Sequence, residues 1–245
     1  MPVEFRILGP VTAVGPCGPV QLPGQTRTTL LGVLCLRVGE NLTRQQLIQA
    51  LWGTCPPVTA VKSLNSHVAV VRRGLERAGL DGVLATGNQG YALELPREVV
   101  DAQRFSDDLS RARAALRAGD TGQAVASLQD GLSLWRGDVM TGCAPAGWGA
   151  ADAARLRALR VLASQGLWQA RLGRGEVGDA VVELERLVAV YPLQERFWEL
   201  MMLALCQSGR RAEALLAFDR LARVLKAELS VEPSPRLCRL RDRLL

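Results

Sequence analysis

The sequence predicts a small α+β domain followed by an all-α domain, and two observations support this fold class. Up to about residue 100, short runs that alternate apolar and polar side chains surround three helical segments. Beyond that point nearly every segment has helical periodicity, and a Gly-x-x-x-x-Ala pattern recurs three times. At 245 residues the chain is long enough for two domains, which we place at residues 1–96 and 97–245.

Local start and stop signals define the elements of the first domain. Thr43 is a good N-cap residue with Gln46 three positions later, and Thr59 can cap the next helix. Gly87 and Gly90 frame a tight turn between two apolar runs, which is typical of a β-hairpin. The predicted elements are strands at 3–8, 11–14 and 20–22, helices at 26–37, 44–52 and 60–78, and hairpin strands at 83–86 and 91–95.

The third helix has one apolar face and one polar, basic face. The apolar stripe is formed by Ala60, Leu64, Val68, Val71 and Leu75. The opposite face carries Lys62, Asn65, Ser66, Ala69 and Arg73, with Arg72 beside them. Residues 27–77 contain seven Arg or Lys and two Glu, which concentrates most of the chain's formal charge of +6. Strands, three helices and a closing hairpin, with a basic third helix, together predict a winged helix-turn-helix that binds DNA.

Each side chain on this surface has an expected role. Asn65 is suited to a bidentate contact with adenine, and Lys62 to a guanine edge or a phosphate. Ser66 and Ala69 are small enough for close approach to the bases. The remaining predicted contacts are the phosphate-positioning Arg27, Arg44, Arg72 and Arg73, together with Thr59 at the helix start and Asn88 and Gln89 at the hairpin tip. Two other interpretations stay open: a merely solvated basic face, or a surface that docks protein. His67 is expected to be packed or to face a phosphate.

The second domain is predicted to consist of helical hairpins. Asp101 can cap a helix over 102–118 that buries Phe105, Leu109 and Leu116. Similar segments then follow at 116–124, 172–180 and 206–214, and the last two conserve the 34-residue spacing of tetratricopeptide repeats. A Gly- and Pro-rich insertion separates the first two copies, and an arginine-rich helix at 235–245 is expected to cap the stack. A generic helical bundle is the alternative interpretation.

The composition argues against an enzyme, a metal site and a cofactor. With a single histidine, His67, the chain cannot build a His-x-x-x-His pair or a Ser-His-Asp triad. Its six cysteines include no C-x-x-C pair, and no glycine-rich phosphate loop is present. Because no apolar run approaches a membrane span and the first residues are charged, we expect a cytoplasmic protein.

The chain resembles the Streptomyces antibiotic regulatory proteins over almost its whole length. Residues 5–10, 47–53, 70–75 and 90–93 are similar to the response-regulator type of winged helix. Residues 101–105, 134–137, 191–196 and 228–233 are similar to the bacterial transcriptional activation domain. One departure is Gly74, where the family usually keeps a bulkier residue, and a glycine inside the third helix is expected to lower its stability by about 0.5–1 kcal/mol.

The resemblance implies an activator of a secondary-metabolite gene cluster. Such a protein is expected to bind direct repeats near the −35 region as a head-to-tail dimer on DNA. The expected protein partner is RNA polymerase holoenzyme, through its sigma factor, beta flap and alpha subunit. A helical-repeat adaptor whose winged helix docks protein, and a repressor with a ligand in the helical groove, are the alternative functions.

Overall fold

A computed structural model describes residues 2–245, and the chain divides into two compact units. The first unit takes the residues up to 114 together with 126–161, and the second takes 115–125 and 162–245. These units do not follow the division at residue 96, because the chain passes between them more than once. The boundary at residue 96 therefore stays a prediction.

Residues 4–93 form the predicted arrangement of strands, three helices and a closing hairpin. The elements are β1 (Glu4–Arg6), β2 (Thr12–Gly15), β3 (Gly18–Pro19), α1 (Gln25–Leu36), β4 (Leu42–Thr43), α2 (Arg44–Trp52), α3 (Ala60–Arg77), β5 (Leu84–Thr86) and β6 (Gly90–Leu93). Both sheets are antiparallel, with the orders β1-β2-β3 and β4-β6-β5. The predicted strand at 20–22 is wrong, since the strand lies at 18–19, and β4 occupies a segment for which no strand is predicted.

The two helix caps predicted in the first domain have different outcomes. At α2 the capping box is confirmed: the Gln46 N–H donates to Thr43 Oγ1 at 3.2 Å, and the Thr43 N–H donates to Gln46 Oε1 at 2.8 Å. The side-chain cap at Thr59 is wrong, because its hydroxyl lies 3.3 Å from that of Ser63 and makes no capping bond. Thr43 has the extended backbone of a capping residue, whereas Thr59 has φ −93° and ψ 20°.

Helix α3 buries its predicted apolar stripe and does not end at Gly74. All five residues of the stripe are buried, and the helix continues to Arg77. A Cβ at position 74 would lie 3.0 Å from a side-chain carbon of Leu22 and 3.2 Å from the carbonyl oxygen of Gln21. The glycine therefore allows the segment after β3 to pack directly on the helix, which is the physical reason for this departure from the family pattern.

Three further helices follow the hairpin: α4 (Asp101–Arg117), α5 (Thr121–Ser133) and α6 (Gly147–Gly173). The segment 136–146 lies in the Gly- and Pro-rich insertion predicted between the first two repeats. Its main chain pairs with the residues after β1, because the N–H groups of Arg136 and Met140 donate to the carbonyls of Leu8 and Ile7, each at 2.8 Å. This pairing helps explain why β1 stops at residue 6, short of the predicted residue 8.

The beginning of α6 packs against the winged helix within the same unit. Trp148 Nε1 donates to the carbonyl of Gln46 at 2.9 Å, and the Arg37 guanidinium lies 4.1 Å from the centre of the Trp148 ring. Arg37 Nε also donates to Asp152 Oδ2 at 2.9 Å. Aromatic, cationic and hydrogen-bonding contacts thus hold α6 to α1 and α2.

Asp101 anchors α4 to the end of β1. Its carboxylate is 2% exposed and accepts the N–H of Ile7 at 2.8 Å and that of Leu8 at 3.0 Å, while Arg136 Nη2 lies 3.4 Å away. Burial raises the pKa of Asp101, although the donated N–H groups and Arg136 act in the opposite direction. The predicted helix cap at Asp101 is wrong, because Asp101 is the first residue of α4 and its carboxylate joins the helix to the end of β1 instead.

The second unit contains α7 (Ala180–Val190), α8 (Glu195–Gln207), α9 (Arg211–Leu229) and α10 (Pro235–Asp242). The predicted helix ends at the repeated glycines are confirmed, because Gly119, Gly175 and Gly209 have left-handed φ values between 74° and 77°. The alanines that follow, Ala124, Ala180 and Ala214, are fully buried. The predicted burial of Leu116 is wrong, because its side chain is 47% exposed. Helix α10 packs on α8 and α9, as expected of a terminal cap. Within residues 2–245, none of the helices combines the length and apolar character needed to cross a membrane.

Candidate nucleic-acid interface

The outer face of α3 is exposed over three helical turns. The exposed residues are Lys62, Asn65, Ser66, Ala69 and Arg73, all of them predicted for this face. In the part of the chain that the structure describes, neither Lys62 nor Arg73 forms a salt bridge. The rise of about 1.5 Å per residue separates their Cα atoms by about 16 Å along the helix. This face therefore presents two uncompensated cations on either side of a short polar stretch.

The wing side of this face is organised around Tyr91. The Tyr91 hydroxyl donates to Asn65 Oδ1 at 2.9 Å, and the Arg44 guanidinium lies 5.7 Å from the centre of the Tyr91 ring. The Arg44 N–H donates to the carbonyl of Gln89 at 3.1 Å, which ties the start of α2 to the tip of the hairpin. Tyr91, which the prediction omits, thus links the predicted residues Asn65 and Arg44, and Arg44 in turn reaches Gln89 through its own main chain.

Arg72 connects α3 to the wing. Its Nε and Nη2 donate to the carbonyl of Leu84 at 3.2 and 3.0 Å, and Nη2 also donates to Thr86 Oγ1 at 2.8 Å. A guanidinium held by two acceptors on one strand fixes that strand against the helix. The phosphate contact that we expect of Arg72 stays a prediction, while its described hydrogen bonds are structural.

Arg27 and His67 lie on the opposite flank of α3. Arg27 Nη1 donates to the carbonyl of Pro23 at 2.6 Å, whereas Arg27 Nε and His67 Nδ1 are buried without a hydrogen-bond partner among residues 2–245. Burial and the nearby charge of Arg27 lower the pKa of His67 below its ordinary value of 6.5. The Trp52 ring is centred 6.2 Å from that of His67. His67 is therefore packed, which is one of its two expected placements.

The remaining predicted residues occupy the ends of the surface. Asn88 and Gln89 are exposed at the two-residue turn of the hairpin, where the Gly87 N–H donates to the Gly90 carbonyl at 3.0 Å. Thr59 is exposed immediately before α3. A helix with a polar outer face, a wing beside it and arginines on both flanks has the shape and charge to enter a groove of duplex DNA.

Tyr91 contributes to this surface although it is not among the residues predicted from the sequence. The alternation of side chains along β6 could have indicated Tyr91, because the side chains on one face of a central strand contact the helix that packs on that face. The pattern does not reveal which helical residue it contacts. No group of three or more His, Cys, Asp or Glu residues suited to a metal ion occurs within residues 2–245.

Comparison with known proteins agrees with this geometry. Residues 19–93 match the model of the C-terminal domain of transcriptional regulatory proteins, and residues 100–245 match that of the bacterial transcriptional activator domain. The chain is 36% identical over 244 residues to the regulatory protein AfsR of Streptomyces coelicolor, covering 99% of this chain and 24% of that protein. It is also 36% identical to the transcriptional regulator RedD of the same species, covering 97% of this chain and 69% of RedD.

A solved structure extends the comparison to three dimensions. EmbR of Mycobacterium tuberculosis, in complex with a low-affinity phosphopeptide, superimposes with a TM-score of 0.89 and 30% sequence identity. The match covers 99% of this chain and 64% of that one. The α+β winged helix-turn-helix followed by helical repeats is thereby confirmed, as is the expectation of a regulator and not an enzyme. Both halves of this chain match those families in the expected order, and the chain belongs to the Streptomyces antibiotic regulatory protein family of transcriptional activators.

Proposed function

We propose that this protein binds promoter DNA sequence-specifically and activates transcription of an antibiotic or other secondary-metabolite gene cluster. The observation that carries the proposal is the outer face of α3, where Lys62 and Arg73 form no salt bridge with any residue from 2 to 245 and Asn65 lies between them. On a winged helix this face enters the major groove, while the hairpin lies along the neighbouring backbone.

The proposed contacts divide into base reading and backbone positioning. Asn65 and Lys62 read base edges, and Ser66 and Ala69 keep the approach close. The positioning set consists of Arg27, Arg44, Arg72, Arg73, Thr59, Asn88 and Gln89, which surround the base-reading residues on both flanks. Arg72 differs from the other arginines because it also holds the wing in place through Leu84.

The proposal includes two assembly features that the family resemblance supports. Two copies bind head to tail on direct repeats near the −35 region, spaced by about one helical turn of DNA so that both lie on one face. The helical region, residues 97–245, then recruits RNA polymerase holoenzyme through its sigma factor, beta flap and alpha subunit. Stacked helical hairpins suit this task because they present extended surfaces to protein segments.

DNA binding is tested by fluorescence anisotropy on a duplex that the wild-type protein selects from a randomised library, against a shuffled duplex. We expect log K to fall steeply with log salt, and Arg73→Ala to weaken binding to both duplexes while reducing the slope by about one. Lys62→Ala and Asn65→Ala should mainly reduce discrimination between the two duplexes, by roughly 1–3 kcal/mol each. If all three variants bind like wild type, the surface is wrongly assigned.

Activation is tested by transcription from the selected promoter with purified polymerase. The proposal expects more transcript when the protein is added, and a loss of cooperative binding when the spacing between repeats changes by about half a helical turn. A decrease in transcript would indicate a repressor. If the protein shows no salt-dependent binding to duplex DNA, the alternative of an adaptor whose winged helix docks protein is favoured.

A further inference from the structure

The wing tyrosine is held in place by strand pairing on both sides, by burial and by contact with Arg44. Tyr91 lies on the central strand β6, paired with Leu42 on one side and with Thr86 on the other. Its neighbour Gly90 permits this close pairing, since a Cβ there would lie 1.9 Å from the Leu42 carbonyl oxygen. The side chain of Tyr91 is 6% exposed, and its ring packs below the Arg44 guanidinium. The hydroxyl is therefore a fixed point at the edge of the surface.

This hydroxyl acts on the side chain best suited to read a base. It donates to Asn65 Oδ1 at 2.9 Å, whereas Asn65 itself is exposed. An unrestrained asparagine amide turns about its last torsion and exchanges the positions of its oxygen and nitrogen. The donated proton holds Oδ1 toward the wing and directs the amide nitrogen away from it. One lone pair of Oδ1 and both protons of the amide nitrogen stay available.

We propose that Tyr91 is a positioning residue for base recognition, fixing the order in which Asn65 presents its acceptor and its donor. This inference rests on the proposed function, in which Asn65 contacts a base edge. A bidentate contact with adenine requires the oxygen to accept from the exocyclic amine and the nitrogen to donate to the ring nitrogen. A side chain already held in that order loses less conformational freedom on binding than a free one.

The test measures dissociation constants for the library-selected duplex and for its shuffled counterpart. Tyr91→Phe keeps the ring below Arg44 and removes only the hydroxyl. We expect it to lower discrimination by about three- to tenfold, the range for one net hydrogen bond, and to leave binding to the shuffled duplex unchanged. Tyr191→Phe is the matched control, because Tyr191 is the chain's second tyrosine and lies in the other compact unit.

A double-mutant cycle separates positioning from a structural role. Asn65→Ala should lose discrimination at one base pair, and Tyr91→Phe should change nothing further in that background. Equal weakening on both duplexes by Tyr91→Phe would mean that the hydroxyl contacts a phosphate, and would overturn the inference. So would a Tyr91→Phe protein that discriminates like wild type while Asn65→Ala does not. A wild-type protein that selects no duplex would instead refute the proposed function itself.

Discussion

One buried carboxylate contributes to the attachment of the winged helix to α4, and replacing Asp101 tests how large that contribution is. The Asp101→Ala variant removes both acceptors of the Ile7 and Leu8 N–H groups, which are completely buried. It also removes the carboxylate beside the half-buried Arg136. Because the two N–H groups lie inside the core, neither is expected to find water in place of the lost oxygen atoms.

The expected cost follows from these contacts. Each buried donor left without a partner costs about 1–3 kcal/mol, so Asp101→Ala should lower the free energy of unfolding by about 2–6 kcal/mol. Asp101→Asn keeps one acceptor oxygen and turns an NH₂ group toward the other N–H, which should cost about 1–3 kcal/mol. Asp107→Ala, on an exposed position of the same helix, is the matched control and should stay within about 0.5 kcal/mol of wild type.

The assay is urea unfolding followed by far-ultraviolet circular dichroism, combined with amide hydrogen exchange. In the Asp101→Ala variant the amides of Ile7 and Leu8 should lose protection before the rest of the unit does. The wild-type protein should be the most stable, Asp101→Asn should be intermediate, and Asp101→Ala should be the least stable. The reasoning is refuted if Asp101→Ala unfolds at the same urea concentration as Asp107→Ala, because the carboxylate would then contribute nothing net.

Three further predictions concern glycine packing, titration and the attachment of α6. Gly74→Ala should destabilise the protein in thermal unfolding, because the added Cβ would lie 3.2 Å from a main-chain carbonyl oxygen. Gly173→Ala has open space around it and should stabilise the protein by up to about 1 kcal/mol. The reasoning is contradicted if both substitutions change the stability in the same direction. Because the pKa of His67 is lowered on folding, the contribution of His67 to stability is lost as the pH falls below 6.5. The difference in unfolding free energy between wild type and His67→Gln should therefore shrink below that pH. A difference that does not change with pH would contradict this prediction. Trp148→Phe removes the hydrogen bond to the Gln46 carbonyl and should lower the free energy of unfolding by about 1 kcal/mol. An unchanged denaturant midpoint would show that this hydrogen bond is not needed for stability.

The elements of this protein were predictable where the signal is local. The stripe on α3 follows from helical periodicity, and the capping box at Thr43 follows from two side chains three positions apart. The Gly119, Gly175 and Gly209 turns are equally local, because a left-handed residue ends each helix. Predictions of this kind need no knowledge of what lies on the other side of the core.

The errors occur where the outcome depends on backbone conformation or on tertiary packing that local sequence patterns do not encode. Thr59 cannot cap α3 because its backbone does not take the extended shape that capping requires. Leu116 satisfies the apolar pattern of α4 and is still 47% exposed, because periodicity shows a face but not what covers it. The strand at 20–22 is displaced in the same way, since that segment packs on Gly74 instead.

The sequence by itself determined the fold class, the family and the composition of the outer face of α3, because each depends on residue types at short, regular spacings. Only the tertiary structure decided which groups meet across the chain. It joins Asp101 to the end of β1, Trp148 to α2, Arg72 to the wing and Tyr91 to Asn65. These pairs are separated by between 12 and 102 residues, and hydrogen bonds over such separations leave no periodic trace in the sequence.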